Sequence, residues 1–207
     1  MSYYGSSVKF GQNSVQPIRD LDDLNNAINY WKKKRNAAVK PDDRYRYDRN
    51  YMLFLLGINV ALRVSDLRVR KVEDVKKEII VTREKKTGKI QQIPLNGYIL
   101  EELRAYINRN GLTDSDYLFR SRNGLNKPLQ RCMIYQILQE IKEGCRLKYP
   151  VGTHTMRKTF GYHYYKQTNN VVALQRMLNH SRPDITLVYI GMVQAEVDQE
   201  RKSFCLR

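Results

Sequence analysis

Apolar residues in the first part of the chain recur at the spacing of an amphipathic helix. Leu21, Leu24, Ile28 and Trp31 follow one another at intervals of three or four residues, which predicts a helix that buries one face. Asp20 directly precedes this run and is a typical N-cap residue. We therefore expect a helix that begins near residue 21, and a basic run follows at residues 32–35.

The most apolar segment of the chain, residues 51–62, is expected to form the second half of a helix over residues 44–62. A proline-containing turn at residues 39–43 is expected to separate it from the first helix. Because this segment is apolar on nearly all sides, it should lie at the centre of the core. It is far too short to span a bilayer.

In the middle of the chain the period changes to that of strands. Residues 78–82 and 90–95 are predicted to be two strands, and the turn signal Thr87-Gly88 lies between them. This pattern predicts a β-hairpin with a strongly basic tip. Helical patterns then follow at residues 97–108, 129–142, 155–166, 171–178, 183–189 and 194–204.

The fold class expected from these patterns is α+β, mainly α-helical, with one small antiparallel sheet. Residues 1–16, which are rich in Ser, Gly, Asn and Gln, are expected to be a flexible N-terminal arm. Residues 17–190 should form one domain, and residues 191–207 should form a C-terminal tail helix. At 207 residues the chain is long enough for one well-buried core.

The charge balance adds a class of partner. The chain has 37 Lys and Arg against 21 Asp and Glu, a net charge of +16, which favours nucleic acid first and an acidic membrane surface second. A generally basic protein of the ribosomal kind is equally compatible with composition alone. The three cysteines are odd in number and widely spaced, and residues 1–10 lack the apolar run of a signal peptide, so we expect a reducing cytoplasm.

Six polar side chains are informative only in combination. Taken singly, each has an ordinary explanation: a cation at a helix end, a solvated lysine on a hairpin, a surface pair at a helix start, or one of 15 tyrosines. The six are Arg63, Lys86, His154, Arg157, His180 and Tyr189.

The order and spacing of these six residues resemble those of the tyrosine recombinase, or phage integrase, family. The matching segments are Ala-Leu-Arg63-Val-Ser-Asp-Leu, Lys-Lys86-Thr-Gly-Lys on the hairpin, His154-Thr-Met-Arg157, Leu-Asn-His180-Ser, and Tyr189 nine residues later. All six active-site positions are filled. The resemblance extends over residues 17–190, which it identifies as a catalytic domain.

The resemblance implies a site-specific DNA recombinase that cleaves and rejoins strands through a 3′-phosphotyrosine intermediate. Tyr189 would be the nucleophile, and Arg63 and Arg157 would bind the non-bridging phosphate oxygens. A phenol with a pKa of about 10 is a poor nucleophile at neutral pH. We expect the guanidiniums to make the phenolate less costly and His154 or a phosphate oxygen to accept its proton.

Lys86 is then expected to protonate the departing 5′-oxygen, and His180 to hydrogen-bond a non-bridging oxygen and brace the Tyr189 segment. The chemistry implies no cofactor and no metal. The implied partner is double-stranded DNA, with a monomer in solution, a tetramer on DNA, and residues 191–207 docking on a neighbouring subunit. No membrane association is expected.

Three positions depart from the family pattern. Ala61 and Asn179 stand where glycine is usual, and Asp66 stands where glutamate is usual. We expect Ala61 to allow close helix packing and Asp66 to keep the carboxylate. Asn179 should adopt a left-handed conformation at a helix C-cap, because asparagine tolerates it best after glycine.

Two other functions and two forms of the protein stay open at this point. A type IB topoisomerase shares the tyrosine intermediate, and a DNA-binding regulator could keep the fold without the chemistry. The chain also lacks the N-terminal clamping domain that is usual in the family. It is either a fragment or a stand-alone minimal recombinase, and the Met1 start favours the second.

Overall fold

The computed structural model describes residues 15–83, 88, 90–122, 124–192 and 201–205. The elements in these ranges are mostly helices, with one two-stranded antiparallel sheet, so the predicted α+β class is confirmed. In chain order the elements are α1 (Leu21–Ala37), α2 (Pro41–Val60), α3 (Val64–Leu67), α4 (Val72–Lys76), β1 (Ile79–Arg83), β2 (Ile90–Pro94), α5 (Gly97–Arg109), α6 (Arg131–Gly144), α7 (Thr155–Thr168), α8 (Val171–Met177) and α9 (Pro183–Ile190).

Helix α1 begins where the sequence predicts and includes the basic run. The Asp20 side chain accepts a hydrogen bond from the backbone N–H of Asp23 at 2.9 Å, so the predicted N-cap is confirmed. The helix continues through the basic run to Ala37. The Lys34 ammonium lies 4.7 Å from the centroid of the Tyr30 ring, and its apolar stem covers aromatic surface. A charged run can therefore extend a helix when its side chains pack in this way.

Helix α2 differs from its prediction at both ends. The expected turn at residues 39–43 is wrong, because Pro41 occupies the first helical position, where its missing N–H costs nothing. At the other end the helix stops at Val60, and Ala61 has a left-handed conformation with φ of 54°. Arg63 consequently does not end the apolar helix. It is the N-cap residue of α3.

The apolar half of α2 lies at the centre of the main core, as predicted. Its residues from Tyr51 to Leu56 are at most 2% exposed, and α2 packs against α1, α5 and α7. A second, smaller apolar cluster joins the C-terminal helices. Its buried members are Ala61, Leu174, Leu178, Ile190 and Met192. This second cluster attaches α9 to α7 and α8 and so determines where Tyr189 lies.

The hairpin has the predicted antiparallel pairing, with Arg83 opposite Ile90 at the end nearest the turn. Gly88 has φ of 69°, a left-handed conformation that suits the Thr-Gly turn signal. Lys86 lies outside the described residues. The hairpin is attached to the helical body through Gln91, whose amide donates a hydrogen bond to the Met177 carbonyl at 2.8 Å.

The chain termini are described only in part. Of the expected arm, residues 1–14 lie outside the described residues, as do residues 193–200 and 206–207 of the expected tail helix. Residues 201–203 are helical, and Phe204 is 71% exposed. Across the described ranges, no helix combines the length and the apolar character that crossing a membrane requires.

Candidate active site

Arg157 is held between the ends of two helices. It lies in the first turn of α7 and is 6% exposed. One guanidinium nitrogen donates to the Ala61 carbonyl at the end of α2, and Nη2 donates to the Leu178 carbonyl at the end of α8 at 2.6 Å. Both acceptors are neutral backbone oxygens, so the guanidinium is held in place without its charge being cancelled.

Arg63 lies across a small cavity from the hairpin. The cavity has a volume of about 120 Å³ and is lined by Leu62, Arg63, Asp66, Thr82, Ile90, Gln91, Arg157, Arg176 and Asn179. Burial lowers the pKa of Arg157, and the nearby Arg63 lowers it further. Guanidinium groups stay protonated in proteins. The cavity therefore has a strongly positive wall of suitable geometry for phosphate oxygens.

Tyr189 is the penultimate residue of α9, and its hydroxyl lies at this positive wall. Burial raises the pKa of Tyr189, while the charge and hydrogen bond of Arg157 and the charge of Arg63 act in the opposite direction. The guanidiniums thus favour the phenolate, as expected, but burial outweighs them. The phenol is therefore protonated at neutral pH in the free protein, and catalysis needs a proton acceptor.

His154 lies within hydrogen-bond distance of this phenol. It is the N-cap residue of α7, it is exposed, and its Nδ1 lies 3.2 Å from the Tyr189 hydroxyl. Partial burial of the ring lowers the pKa of His154, and the cations Lys158 and Arg131 lower it further. The neutral imidazole consequently predominates at pH 7, and its Nδ1 is able to accept the phenolic proton.

His180 supports Tyr189 from another side. Its ring meets the Tyr189 ring edge-on with centroids 5.0 Å apart, and its Nδ1 lies 3.1 Å from the Thr186 hydroxyl. Burial lowers the pKa of His180 to about 4, with further contributions from Arg157 and Arg63. The preceding residue, Asn179, has φ of 49°, so the predicted left-handed conformation is confirmed.

The structure adds a backbone requirement at Ala61. The residue is 4% exposed, and it has a left-handed conformation in which its carbonyl accepts a hydrogen bond from Arg157. Glycine is the residue that adopts this conformation without strain. The usual glycine and the alanine found here therefore differ in backbone energy.

Five of the six sequence-predicted site residues come together around the cavity and Tyr189: Arg63, His154, Arg157, His180 and Tyr189. Lys86, the sixth, cannot be placed because it lies outside the described residues. The hairpin that carries it contributes Thr82, Ile90 and Gln91 to the cavity wall.

The sequence analysis missed several residues that the structure brings to the site. Lys158 is 9% exposed, and its ammonium lies 5.2 Å from the centroid of the Tyr189 ring. Arg176 lines the cavity, and Thr186 contacts His180. One signal was available for Lys158, since it lies four residues after His154 on the same helical face. Nothing in the local sequence marks Arg176 or Thr186.

Some of the cations in the basic runs at residues 32–35 and 68–71 have internal partners. Arg35 pairs with the buried Asp48 at 2.8 Å, and Arg68 donates to the Leu129 carbonyl at 3.1 Å. Arg70 donates to the Asp66 and Val81 carbonyls. Charge density along the sequence therefore overstates the number of cations that face a ligand.

Among the described residues, no group of three or more His, Cys, Asp or Glu side chains is placed to hold a metal ion.

The chain is similar to known proteins over most of its length. Residues 20–195 match the phage integrase family. The chain is 39% identical over 179 residues to the probable integrase/recombinase YoeC of Bacillus subtilis (strain 168), covering 86% of this chain and 90% of that protein. It is 32% identical over 159 residues to the tyrosine recombinase XerA of Pyrococcus furiosus, covering 75% of this chain and 54% of the relative.

Solved structures resemble the fold. The crystal structure of XerA recombinase has a TM-score of 0.71 at 18% identity, over 94% of this chain and 67% of that one. The XerH site-specific recombinase in its post-cleavage complex with palindromic difH substrate has a TM-score of 0.74 at 15% identity, over 96% of this chain and 55% of that one. The chain thus spans most of YoeC but about half the length of the XerA and XerH proteins.

Proposed function

Because the chain belongs to the phage integrase family and is a site-specific tyrosine recombinase, we propose that Tyr189 attacks the scissile phosphate of duplex DNA. The observation that carries this assignment is the position of the phenol. Its hydroxyl is 3.2 Å from His154 Nδ1 and lies within the influence of Arg157 and Arg63. The sequence predicts no other tyrosine as the nucleophile.

In the proposed cleavage step the Tyr189 oxygen forms a bond to phosphorus and the bond from phosphorus to the 5′-oxygen breaks. The phenolic proton passes to His154, and Lys86 on the hairpin gives a proton to the departing 5′-oxygen. The products are a 3′-phosphotyrosine and a free 5′-hydroxyl. One phosphate ester replaces another, so a 5′-hydroxyl of a partner strand can reverse the step without ATP.

The charge that develops on the non-bridging oxygens falls to Arg63 and Arg157. Two guanidinium groups fixed before the reaction stabilise that charge without reorganisation. His180 is neutral at pH 7, and when its Nδ1 accepts from Thr186 its Nε2 carries the proton. We assign this Nε2–H to a non-bridging oxygen. Catalysis in this scheme uses no cofactor and no metal, and activity should survive EDTA.

The partners follow from charge and from the relatives. A net charge of +16 supports binding to double-stranded DNA, with an affinity that falls steeply as salt rises. XerH is described in complex with its difH substrate, and we propose the same class of ligand here. We further propose that the protein acts in the cytoplasm, is a monomer in solution and becomes a tetramer on its site.

The tail is proposed to make contacts between subunits. We retain residues 1–16 as an arm, residues 17–190 as the catalytic domain and residues 191–207 as a docking segment. The high exposure of Phe204 supports the last of these. Deletion of residues 194–207 should impair recombination more than strand cleavage, and equal loss of both would mean that the tail belongs to the core of the monomer.

A nicked suicide DNA substrate carrying candidate sites tests the nucleophile. The wild-type protein should form a covalent adduct on denaturing electrophoresis, and peptide mapping should place it at Tyr189. Tyr189→Phe should bind the DNA but form no adduct, whereas Tyr135→Phe, which alters an exposed tyrosine on α6, should react normally. An adduct that persists in Tyr189→Phe would refute the assignment. Strand exchange between two duplexes would separate recombination from simple relaxation of one.

The role of Lys86 has its own test. Lys86→Ala should cleave ordinary DNA roughly 10²–10⁴-fold more slowly, as for loss of a general acid. A substrate with sulfur in place of the bridging 5′-oxygen should restore most of the rate, because a thiolate leaves without prior protonation. Arg63→Ala and Arg157→Ala should not be rescued. Rescue of Lys85→Ala instead would move the general acid by one residue.

A further inference from the structure

A short N-terminal segment runs across α7 and reaches the end of the tyrosine helix. We call this segment, residues 15–19, the strap. It is attached to α7 at two buried threonines: the Ile18 N–H donates to Thr159 Oγ1 at 2.9 Å, and Thr155 Oγ1 donates to the Gln16 carbonyl at 3.0 Å. The Ile18 carbonyl also hydrogen-bonds to the His163 ring, and the Gln16 N–H donates to the Pro150 carbonyl.

Arg19, the last residue of the strap, contacts the C-terminal end of α9. Its Nη2 donates to the Gly191 carbonyl at 3.0 Å and to Gln16 Oε1 at 3.0 Å, and the guanidinium lies 5.7 Å from the centroid of the Tyr162 ring. Gly191 is the left-handed C-cap of α9, two residues beyond Tyr189. A carbonyl at a helix end has no partner within the helix, and Arg19 supplies one.

The fit between Arg19 and Gly191 leaves no spare room. A Cβ at residue 191 would lie 2.5 Å from Arg19 Nη2, and the φ of 79° at this residue is strained for any other side chain. The guanidinium therefore occupies the space that a side chain at the cap would need. This contact joins residues that are 172 positions apart in the chain.

The strap is also linked to Tyr189 through Lys158 of α7. The Lys158 ammonium donates to the Val15 carbonyl at 2.8 Å and lies 5.2 Å from the centroid of the Tyr189 ring. A cation over an aromatic face attracts it. Val15 in turn packs closely on Gly152, where a Cβ would lie 2.9 Å from Val15 Cγ2. The strap thus bonds both to Lys158, which contacts the Tyr189 ring, and to the end of the helix that carries Tyr189.

From these contacts we infer that Arg19 is a positioning residue for the nucleophile: its bond to Gly191 fixes the end of α9, so that the Tyr189 hydroxyl stays at Arg157 and His154. The inference rests on the proposed role of Tyr189. Helix α9 has only eight residues, and so short a helix depends on tertiary contacts for its stability and orientation. A small rotation of α9 would carry the phenol away from the phosphate site.

The test compares two arginines that contact opposite ends of the same helix. Arg19→Ala removes the contact at the C-terminal end, and Arg182→Ala removes an exposed ion pair with Asp184 at the N-terminal end. Each protein is assayed for single-turnover cleavage of nicked suicide DNA and for DNA affinity. Each is also prepared with fluorotyrosine at position 189, whose ¹⁹F resonance reports the surroundings of that ring.

Arg19→Ala should cleave at least roughly tenfold more slowly, since displacement of a reacting group by about 1 Å costs up to 10²-fold. Its DNA affinity should equal that of the wild type, and the ¹⁹F resonance should shift or broaden. Arg19→Lys, which keeps one donor, should recover part of the rate and of the resonance. Arg182→Ala should match the wild type in all three measurements.

A normal cleavage rate in Arg19→Ala would overturn the inference, as would a slow rate with an unchanged ¹⁹F resonance. If Arg19→Ala does not fold, Gly191→Ala disturbs the same contact from the opposite partner and should give the same pattern. Failure of the proposed function would look different. The wild type would then form no adduct at Tyr189, while the ¹⁹F comparison would still show whether Arg19 holds the ring.

Discussion

Two groups of arginines in this molecule surround different centres. In the first, Arg35, Arg109 and Asn110 converge on the carboxylate of Asp48, which is 2% exposed, with contacts of 2.8–3.0 Å. In the second, Arg157 donates to two backbone carbonyls, and Arg63 and Arg176 line the same cavity. Both groups consist mainly of arginines, but the first surrounds a carboxylate and the second surrounds a cavity.

The difference decides what each group can do. The Asp48 carboxylate neutralises the cations around it, and those cations lower the pKa of Asp48 although burial alone would raise it. That arrangement is a structural ion cluster. Backbone carbonyls orient Arg157 but leave its charge, and among the described residues that line the cavity Asp66 is the one carboxylate. An arginine that is held by neutral partners remains available to an anionic ligand. The density of arginines along the sequence does not reveal which partners each of them has.

The largest predicted effect contrasts one arginine from each group. Arg157→Ala should lower the single-turnover cleavage rate by roughly 10²–10³-fold, the usual loss when one donor to a developing oxyanion is removed. Arg109→Ala should leave the rate of the folded protein unchanged, since its partner is Asp48. Equal loss in both variants on suicide DNA would erase the distinction between the two groups.

Stability should respond in the opposite order. Asp48→Ala leaves Arg35 and Arg109 without their buried counter-ion and should lower the free energy of unfolding by about 3 kcal/mol. Urea denaturation measures this loss. Asp184→Ala, which removes an exposed ion pair, is the matched control and should leave the urea midpoint unchanged. A stable Asp48→Ala protein would show that the cluster is not structural.

The histidines beside the Arg157 group and the carboxylate of the Asp48 group should lower the free energy of unfolding in different pH ranges. The pKa of His180 is about 4 in the folded protein, against about 6.5 for an unperturbed histidine. Between these values the unfolded chain binds more protons, so stability is lost as pH falls from 6.5 towards 4. The pKa of His154 is also lowered and adds to the loss in this window.

The contribution of Asp48, whose pKa is lowered, is complete above about 3.9 and is lost only as pH falls further through its folded pKa. Urea titrations at a series of pH values test both statements. His180→Gln should flatten the decline between 6.5 and 4, and Asp48→Asn should not. A His180→Gln curve parallel to that of the wild type would mean that the pKa of His180 is not lowered in the folded protein.

The smallest predicted effect concerns the backbone beside Arg157. Ala61 has φ of 54°, a conformation that costs a non-glycine residue about 1–2 kcal/mol. Glycine at this position loses more conformational entropy on folding, which costs about 0.5–1 kcal/mol, so Ala61→Gly should stabilise the protein by at most about 1.5 kcal/mol. A lower urea midpoint in Ala61→Gly would mean that packing of the methyl group outweighs the strain.

Local patterns explain why the elements were largely predictable. Helix and strand periods, the Asp20 cap, the left-handed Gly88 and the left-handed Asn179 all depend on residues close together in the chain, and each is found among the described residues. Errors arose where two local readings compete. Pro41 suits either a turn or the first position of a helix, and the end of α2 at Val60 depends on Ala61, whose carbonyl is bonded by Arg157 from 96 positions away.

The candidate site was likewise predictable from the sequence only in part. The order of the six residues predicted the family and the candidate site, because the chemistry restricts residue type and sequence order. The structure brings five of the six together. Whether a cation serves the ligand or the fold depends on its neighbours, as the internal partners of Arg35 and Arg68 show.

By itself, the sequence determined the fold class, the identity of the chemical groups and the polyanionic partner that the charge favours, since these follow from composition, period and spacing. Only the tertiary structure decided that Arg157 is held by carbonyls, that burial raises the pKa of Tyr189, and that residues 15–19 reach the end of the tyrosine helix. These features depend on distances between residues far apart in the chain, and no local pattern encodes them.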